Sequence, residues 1–155
     1  GSLLKNNYKL INWLTEFIKK ENINTMLDLG CGDMQWVPAV ITNTAITYTG
    51  VDSVPDLISN HKIKYQSLDF VCGDIISYNL KKQKYDLLFV KDVFQHLDDN
   101  RMKKFINNIV ESDTTHSIII VPHNINSDTR DYFIKNKYKL IFEYQSDEIK
   151  HVFFK

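Results

Sequence analysis

Met26-Leu27-Asp28-Leu29-Gly30-Cys31-Gly32-Asp33 carries a short apolar strand pattern straight into a glycine turn that opens a helix. Gly30 and Gly32 have no Cβ, so they accept positive φ and let a ligand lie against bare backbone. The unpaired N–H groups of the following helix then point towards that ligand. Three more apolar runs, each ending in a polar residue, follow this one. Tyr48-Thr49-Gly50-Val51-Asp52 places a carboxylate about twenty residues beyond the glycines, where doubly wound folds put the acid that grips ribose hydroxyls. Phe70-Val71-Cys72-Gly73-Asp74-Ile75 ends in another acid, and Tyr85-Asp86-Leu87-Leu88-Phe89-Val90 runs into the polar tip Lys91-Asp92-Val93-Phe94-Gln95-His96-Leu97.

On either side of these runs the periodicity is helical. Leu4, Tyr8, Ile11, Trp13, Leu14, Phe17 and Ile18 predict an amphipathic helix over residues 3 to 20, ended by Asn22 to Thr25. Val37, Val40 and Ile41 predict a second helix beginning near Gln35, since Pro38 is tolerated only in a first turn; the ligand loop then spans Gly30 to Met34. Met102, Phe105, Ile106, Ile109 and Val110 predict a third, with Asn100 as N-cap. Ser117 to Val121 is a β-branched run suited to a strand buried on both faces. There the alternation of strand and helix stops. Tyr138 to Tyr144 and His151 to Phe154 read as two strands joined by the turn Gln145 to Glu148.

The 155 residues suffice for one domain with a substantial core, spanning 1–155. Nineteen basic and nineteen acidic residues, dispersed along the chain, leave it without the basic footprint of an obligate nucleic-acid binder. Lys81, Lys82 and Lys84, and Lys135, Lys137 and Lys139, read as solvated faces. No apolar stretch approaches the ~20 residues of a membrane span and no signal-peptide pattern opens the chain, so a cytoplasmic location is expected. The two cysteines, Cys31 and Cys72, fall on strands that are not neighbours, which fits a reduced compartment without a disulfide. Gly1-Ser2 reads as a cloning scar on what could be one part of a longer polypeptide.

In the order and spacing of its four segments, over residues 25 to 122, the chain resembles the class I S-adenosylmethionine-dependent methyltransferases. GCGDMQW, VDSVPDLI and KDVFQHL further resemble small bacterial and viral members associated with glycan biosynthesis. The resemblance implies a Rossmann-like, doubly wound α/β fold: a mostly parallel sheet in a three-layer α/β/α sandwich, finished by an antiparallel hairpin. One departure stands in the glycine loop, where the family commonly has a third small residue and this chain has Met34. Either the loop bulges there or Met34 packs inward.

The resemblance also implies roles. S-adenosylmethionine is the expected cofactor. Gly30, Cys31 and Gly32 would line its methionine part through backbone, Asp28 would receive its ammonium, and Asp52, followed by Ser53, would accept its ribose hydroxyls. Asp74 would take the adenine amino group beside Gly73 and Ile75, and Gln35 and Trp36 would close the loop, with Trp36 either covering the ligand or packing in the core.

Methyl transfer requires donor and nucleophile held at near-attack distance and a base for the nucleophile's proton. The tip after the fourth strand offers Lys91, Asp92, Gln95 and His96; if it is helical from Asp92, the four-residue spacing lets Asp92 orient His96 as base. The alternative is a His96 that only packs the next helix. His123 and Asn124, after the fifth strand, would face the same cleft, with His123 a substrate contact or alternate base. Asp92 with Asn124 is thin support for a divalent ion, so no metal is assigned. His61, His116 and His151 have no identifiable partner in the sequence.

The resulting expectation is an O-methyltransferase of a sugar hydroxyl on a glycan or glycan precursor, with fused or associated glycosyltransferase domains as conceivable partners. Rival acceptors are RNA, disfavoured by the neutral charge, and a small metabolite. From other classes, a catalytically silent cofactor-binding scaffold remains open, and a nicotinamide dehydrogenase would want a third glycine at Gln35.

Overall fold

A computed structural model describes residues 5, 7–145 and 149–155. The strands β1 (Thr25–Leu29), β2 (Thr47–Asp52), β3 (Asp69–Cys72), β4 (Leu87–Lys91), β5 (His116–Pro122), β6 (Lys139–Gln145) and β7 (Ile149–Phe154) form one sheet in the order β3-β2-β1-β4-β5-β7-β6. β1 to β5 pair in parallel, and β7 runs antiparallel to both β5 and β6. This is the doubly wound, mostly parallel architecture with a terminal antiparallel hairpin that the resemblance implied. The expected turn at Gln145 to Glu148 falls mainly on residues 146–148, outside the described residues.

Alternation along the strands sends side chains to two apolar layers. Met26, Tyr48, Phe70, Leu87, Phe89, Ile118 and Ile120 pack under the helices α1 (Tyr8–Lys20), α2 (Val37–Thr44) and α3 (Pro55–Lys64). Leu27, Leu29, Val51, Leu88, Val90, Ile119 and Val121 pack under α4 (Asp99–Val110) and α5 (Ser127–Lys135). Both faces of the central strands are thereby buried, as the continuous β-branched run of β5 requires.

Three local expectations are corrected. The helix α4 is capped by Asp98, whose Oδ1 accepts the Arg101 N–H at 2.8 Å, and not by Asn100. Alternation does not stop at β5, because α5 follows, capped by Asn126. The second helix begins at Val37, with Pro38 in its first turn, after Gln35 and Trp36 have completed the loop. Among the described residues no helix is long and apolar enough to cross a membrane.

Candidate active site

The sheet order reverses between β1 and β4: from β1 the chain moves outward to β2 and β3, then returns to β4 on the other side. Crossover connections leave in opposite directions there and open a crevice at the strands' carboxyl ends. A cleft of about 540 Å³ lies there, lined by Asp28, Gly30, Cys31, Gly32, Asp52, Ser53, Asp74, Ile75, Lys91, Asp92 and His96 among others. That volume is within the range of small-molecule sites.

The glycine loop is held from below. The Gly30 and Cys31 N–H groups both donate to the Val51 carbonyl, at 2.8 and 3.1 Å. Cys31 rests on Gly50 of β2, where an added Cβ would lie 3.1 Å from Cys31 Sγ. Gly30 (φ 87°) and Gly32 (φ 56°) take the left-handed region, and so does Met34 (φ 60°). Met34 therefore does both things the sequence left open: the backbone turns at it, and its side chain packs inward, with Sδ 3.1 Å from the Tyr48 hydroxyl oxygen. It does not line the cleft.

Asp52, at the end of β2, accepts the Gly32 N–H on Oδ2 and the Val54 N–H on Oδ1, each at 3.1 Å. Each carboxylate oxygen has a second lone pair, so the group can fix the loop and still accept two hydroxyls. Asp74 likewise accepts from the Ile76 N–H and the Ser77 hydroxyl, and Arg101 stands 4.0 Å from it. His61 on α3, without a partner legible in the sequence, is buried with Nε2 2.7 Å from the Gly32 carbonyl, and so braces the loop from the helix side.

Asp28 is buried on the α1–α3 side of β1, where its Oδ2 accepts the Tyr48 hydroxyl at 2.7 Å. Burial pushes its carboxyl up to about 7, against the downward pull of the Tyr48 hydrogen bond and of Lys91. The folded value lies above the usual carboxylate value near 4, so the folded state holds the extra proton between them. Stability from this group is present at low pH and lost as pH rises through about 7. Asp28→Asn keeps an acceptor for Tyr48 and removes that ionisation. Differential scanning fluorimetry of the ligand-free variant should show a Tm gain of about 2–4 °C at pH 8, the equivalent of about 1 kcal/mol, a smaller gain between about pH 4 and 7, and little change below about pH 4. A gain of equal size at pH 8 and below about pH 4 would contradict the ionisation argument.

The tip after β4 differs from the expected helix. Asp92 has φ 56°, and a short 3-10 turn, Phe94–His96, follows. The Asp92 carboxylate does not orient His96: it is taken up by Lys91 beside it and by Lys150 of β7, whose Nζ lies 2.9 Å from Oδ1. Burial would raise this carboxyl, but Lys91 and then Lys150 outweigh it and hold it below the usual carboxylate range. An acid so stabilised in its charged form is a poor proton acceptor. His96 is exposed and lines the cleft rim.

Three expected site residues fall outside the cleft lining. Gln35 is exposed and hydrogen-bonds Asp33; Gly73 lies below the wall, its N–H donating to the Asp52 carbonyl; His123 turns away, its Nδ1 meeting His151 Nε2. Trp36 belongs to both of its alternatives, packed against Phe89 at 5.6 Å and lining the cleft. Asp33, Phe89, Val93, Leu97 and Arg101 line it too, unforeseen from the sequence. Of these, Arg101 was within reach of sequence reasoning, as the lone cation in the first turn of a helix that follows the cleft tip.

The residues present fit S-adenosylmethionine. A loop that would reject any Cβ at Gly30, because Val93 Cγ2 would be 2.5 Å away, stands beside the carboxylates of Asp28, Asp52 and Asp74, which would hold the cofactor's ammonium, ribose and adenine amino group. When bound, this cofactor supplies an electrophilic methyl group on a sulfonium.

Comparison with known proteins agrees. A family model described as "Methyltransferase domain" matches residues 26–112. Among solved structures, the methyltransferase domain of a bacterial CtHen1 superposes with a TM-score of 0.74 at 16% identity, covering 95% of this chain and 98% of that one. Magnesium protoporphyrin IX methyltransferase from Synechocystis PCC 6803, with bound SAM, gives 0.74 at 12% identity, covering 96% and 78%. A TehB-like SAM-dependent methyltransferase from Corynebacterium glutamicum gives 0.66 at 18% identity, covering 90% and 85%. No curated protein matches by sequence. With the family model spanning more than half its length and the strand-end carboxylates in place around the cleft, the chain belongs to the class I S-adenosylmethionine-dependent methyltransferases.

Proposed function

We propose that this methyltransferase acts on a hydroxyl oxygen, and that the hydroxyl belongs to a sugar of a glycan or glycan precursor. The observation that carries the reading is His96, an exposed imidazole on the rim of the cleft at the β4 end, where a proton acceptor is needed and where Asp92 is committed to two lysines. Alcohol oxygens are weak nucleophiles until their proton is removed, so an O-methyltransferase needs such a base. His96 takes the acceptor's proton as the oxygen attacks. Lys91 and Lys150 hold Asp92 and with it the backbone turn that presents the rim. The formal charge of zero offers no cationic track for a polyanion, which favours a neutral acceptor.

His96→Ala should lower kcat by about 10²- to 10⁴-fold, the usual contribution of a general base, with cofactor affinity changed less than about twofold. Methyl-tritiated cofactor incubated with fractionated glycans, lipids, RNA and small metabolites, followed by mass analysis of the labelled product, tests the acceptor. Label confined to RNA or to protein would overturn the sugar assignment, and full activity of His96→Ala would return that residue to a packing role.

A further inference from the structure

On the α4–α5 side of the sheet, outside the cleft lining, three side chains converge that the methyl-transfer site does not use. The register of the terminal hairpin brings them together. Val121 of β5 pairs with His151 of β7, and His151 pairs with Glu143 of β6. Directly opposed residues share a face, and His123, two positions beyond Val121, extends the same row. His123 Nδ1, His151 Nε2 and Glu143 Oε1 all lie within 4.8 Å of one another. The His151 ring is buried, while His123 and Glu143 are exposed.

Protons alone satisfy this arrangement badly. His151 Nε2 stands 3.0 Å from Glu143 Oε1 and also in hydrogen-bond contact with His123 Nδ1. A single N–H on Nε2 can point at one of these acceptors, and a proton on His123 instead leaves the Nε2 lone pair facing a carboxylate oxygen. A metal ion accepts all three lone pairs together. Donor atoms about 2 Å from one tetrahedral ion lie roughly 3–3.5 Å apart, near the 3.0 Å of the His151–Glu143 pair, while the His123 and His151 nitrogens, now 2.5 Å apart, would have to separate by under about 1 Å to admit it.

We propose that His123, Glu143 and His151 form a binding site for a divalent transition-metal ion of the Zn²⁺ type, with solvent completing the shell at its exposed side. Two imidazoles and one carboxylate are a recurrent ligand set for such ions. The donor set selects against oxygen-seeking ions, because two of its three ligand atoms are imidazole nitrogens; Arg130 of α5, which donates to the His123 carbonyl at 3.1 Å, opposes all divalent cations alike. Affinity therefore rests on imidazole coordination, which Mg²⁺ and Ca²⁺ exploit poorly. The bound ion clips the segment after β5 to both strands of the hairpin.

The chain is stripped with chelator, desalted and titrated with ZnCl₂ by calorimetry, with thermal unfolding followed in parallel. One equivalent should bind and raise Tm, while MgCl₂ does neither. His123→Ala and Glu143→Gln, both exposed and so tolerated by the fold, should each weaken zinc binding at least tenfold and abolish the Tm rise. Cys72→Ser, which removes the exposed thiol, should change neither. Absence of a saturable equivalent, zinc binding undiminished in both His123→Ala and Glu143→Gln, or equal binding of Mg²⁺ would overturn the proposal.

Discussion

Asp52→Ala should weaken S-adenosylmethionine binding by about 10²- to 10⁴-fold in isothermal titration. The reason is geometric. Asp52 terminates β2 at the cleft, and each of its oxygens has a lone pair left over after accepting the Gly32 and Val54 N–H groups. Two hydrogen bonds from a diol to a charged acceptor are worth about 1.5–3 kcal/mol each, which gives the stated range. Alanine also frees the Gly32 amide from its anchor, so part of the loss comes from a looser loop. Asp52→Asn separates the two, since its amide oxygen still accepts the loop N–H; an intermediate loss of about tenfold is expected, because one acceptor oxygen becomes a donor. Far-UV circular dichroism should stay unchanged in both. Affinity within threefold of wild type in the alanine variant would remove the ribose assignment.

Gly30→Ala should be the most destabilising single methyl group that can be added to the cleft. Two costs combine at that position. At φ 87° an L side chain is strained by about 1–2 kcal/mol, and the new Cβ would sit 2.5 Å from Val93 Cγ2, an overpacking worth about 1–3 kcal/mol. Together they amount to roughly 2–5 kcal/mol of the 5–15 available to a domain, or a fall in Tm of about 5–15 °C. The clash has a named partner and is therefore separable. Val93→Ala in the same chain should recover the overpacking share and leave the backbone share, giving a favourable coupling in a double-mutant cycle. A Tm for Gly30→Ala within a degree of wild type would mean that the loop is not held in this conformation.

Sequence reasoning reached the central strands because burial on both faces leaves long apolar runs, and the cleft carboxylates because each closes such a run. It missed α3 and α5, whose inward faces carry little apolar signal: α3 buries Ile58 and His61, and α5 buries Thr129 and Phe133. A helix that covers the sheet with one or two apolar side chains has no periodicity to read. The N-cap of α4 was misplaced by two residues because Asp98, Asp99 and Asn100 are all competent caps, and only backbone geometry chooses Asp98. Asp92 was misjudged for a different reason. Its second partner, Lys150, comes from the last strand, and no local pattern announces that an antiparallel β7 inserts beside β5 and delivers a buried lysine there. The His123–His151 contact depends on that same register and was equally invisible.

The seat of the glycine loop has a chemical corollary. Cys31 faces the pocket of a potent alkylating agent, and an ionised sulfur there would be a better nucleophile than any alcohol. Burial first, then the charges of Asp28 and Asp52, push its thiol far above the ordinary cysteine range, so it stays protonated and unreactive. Seating the thiol against Gly50, beside two carboxylates, thus disfavours the thiolate that a methyl donor in this pocket would alkylate.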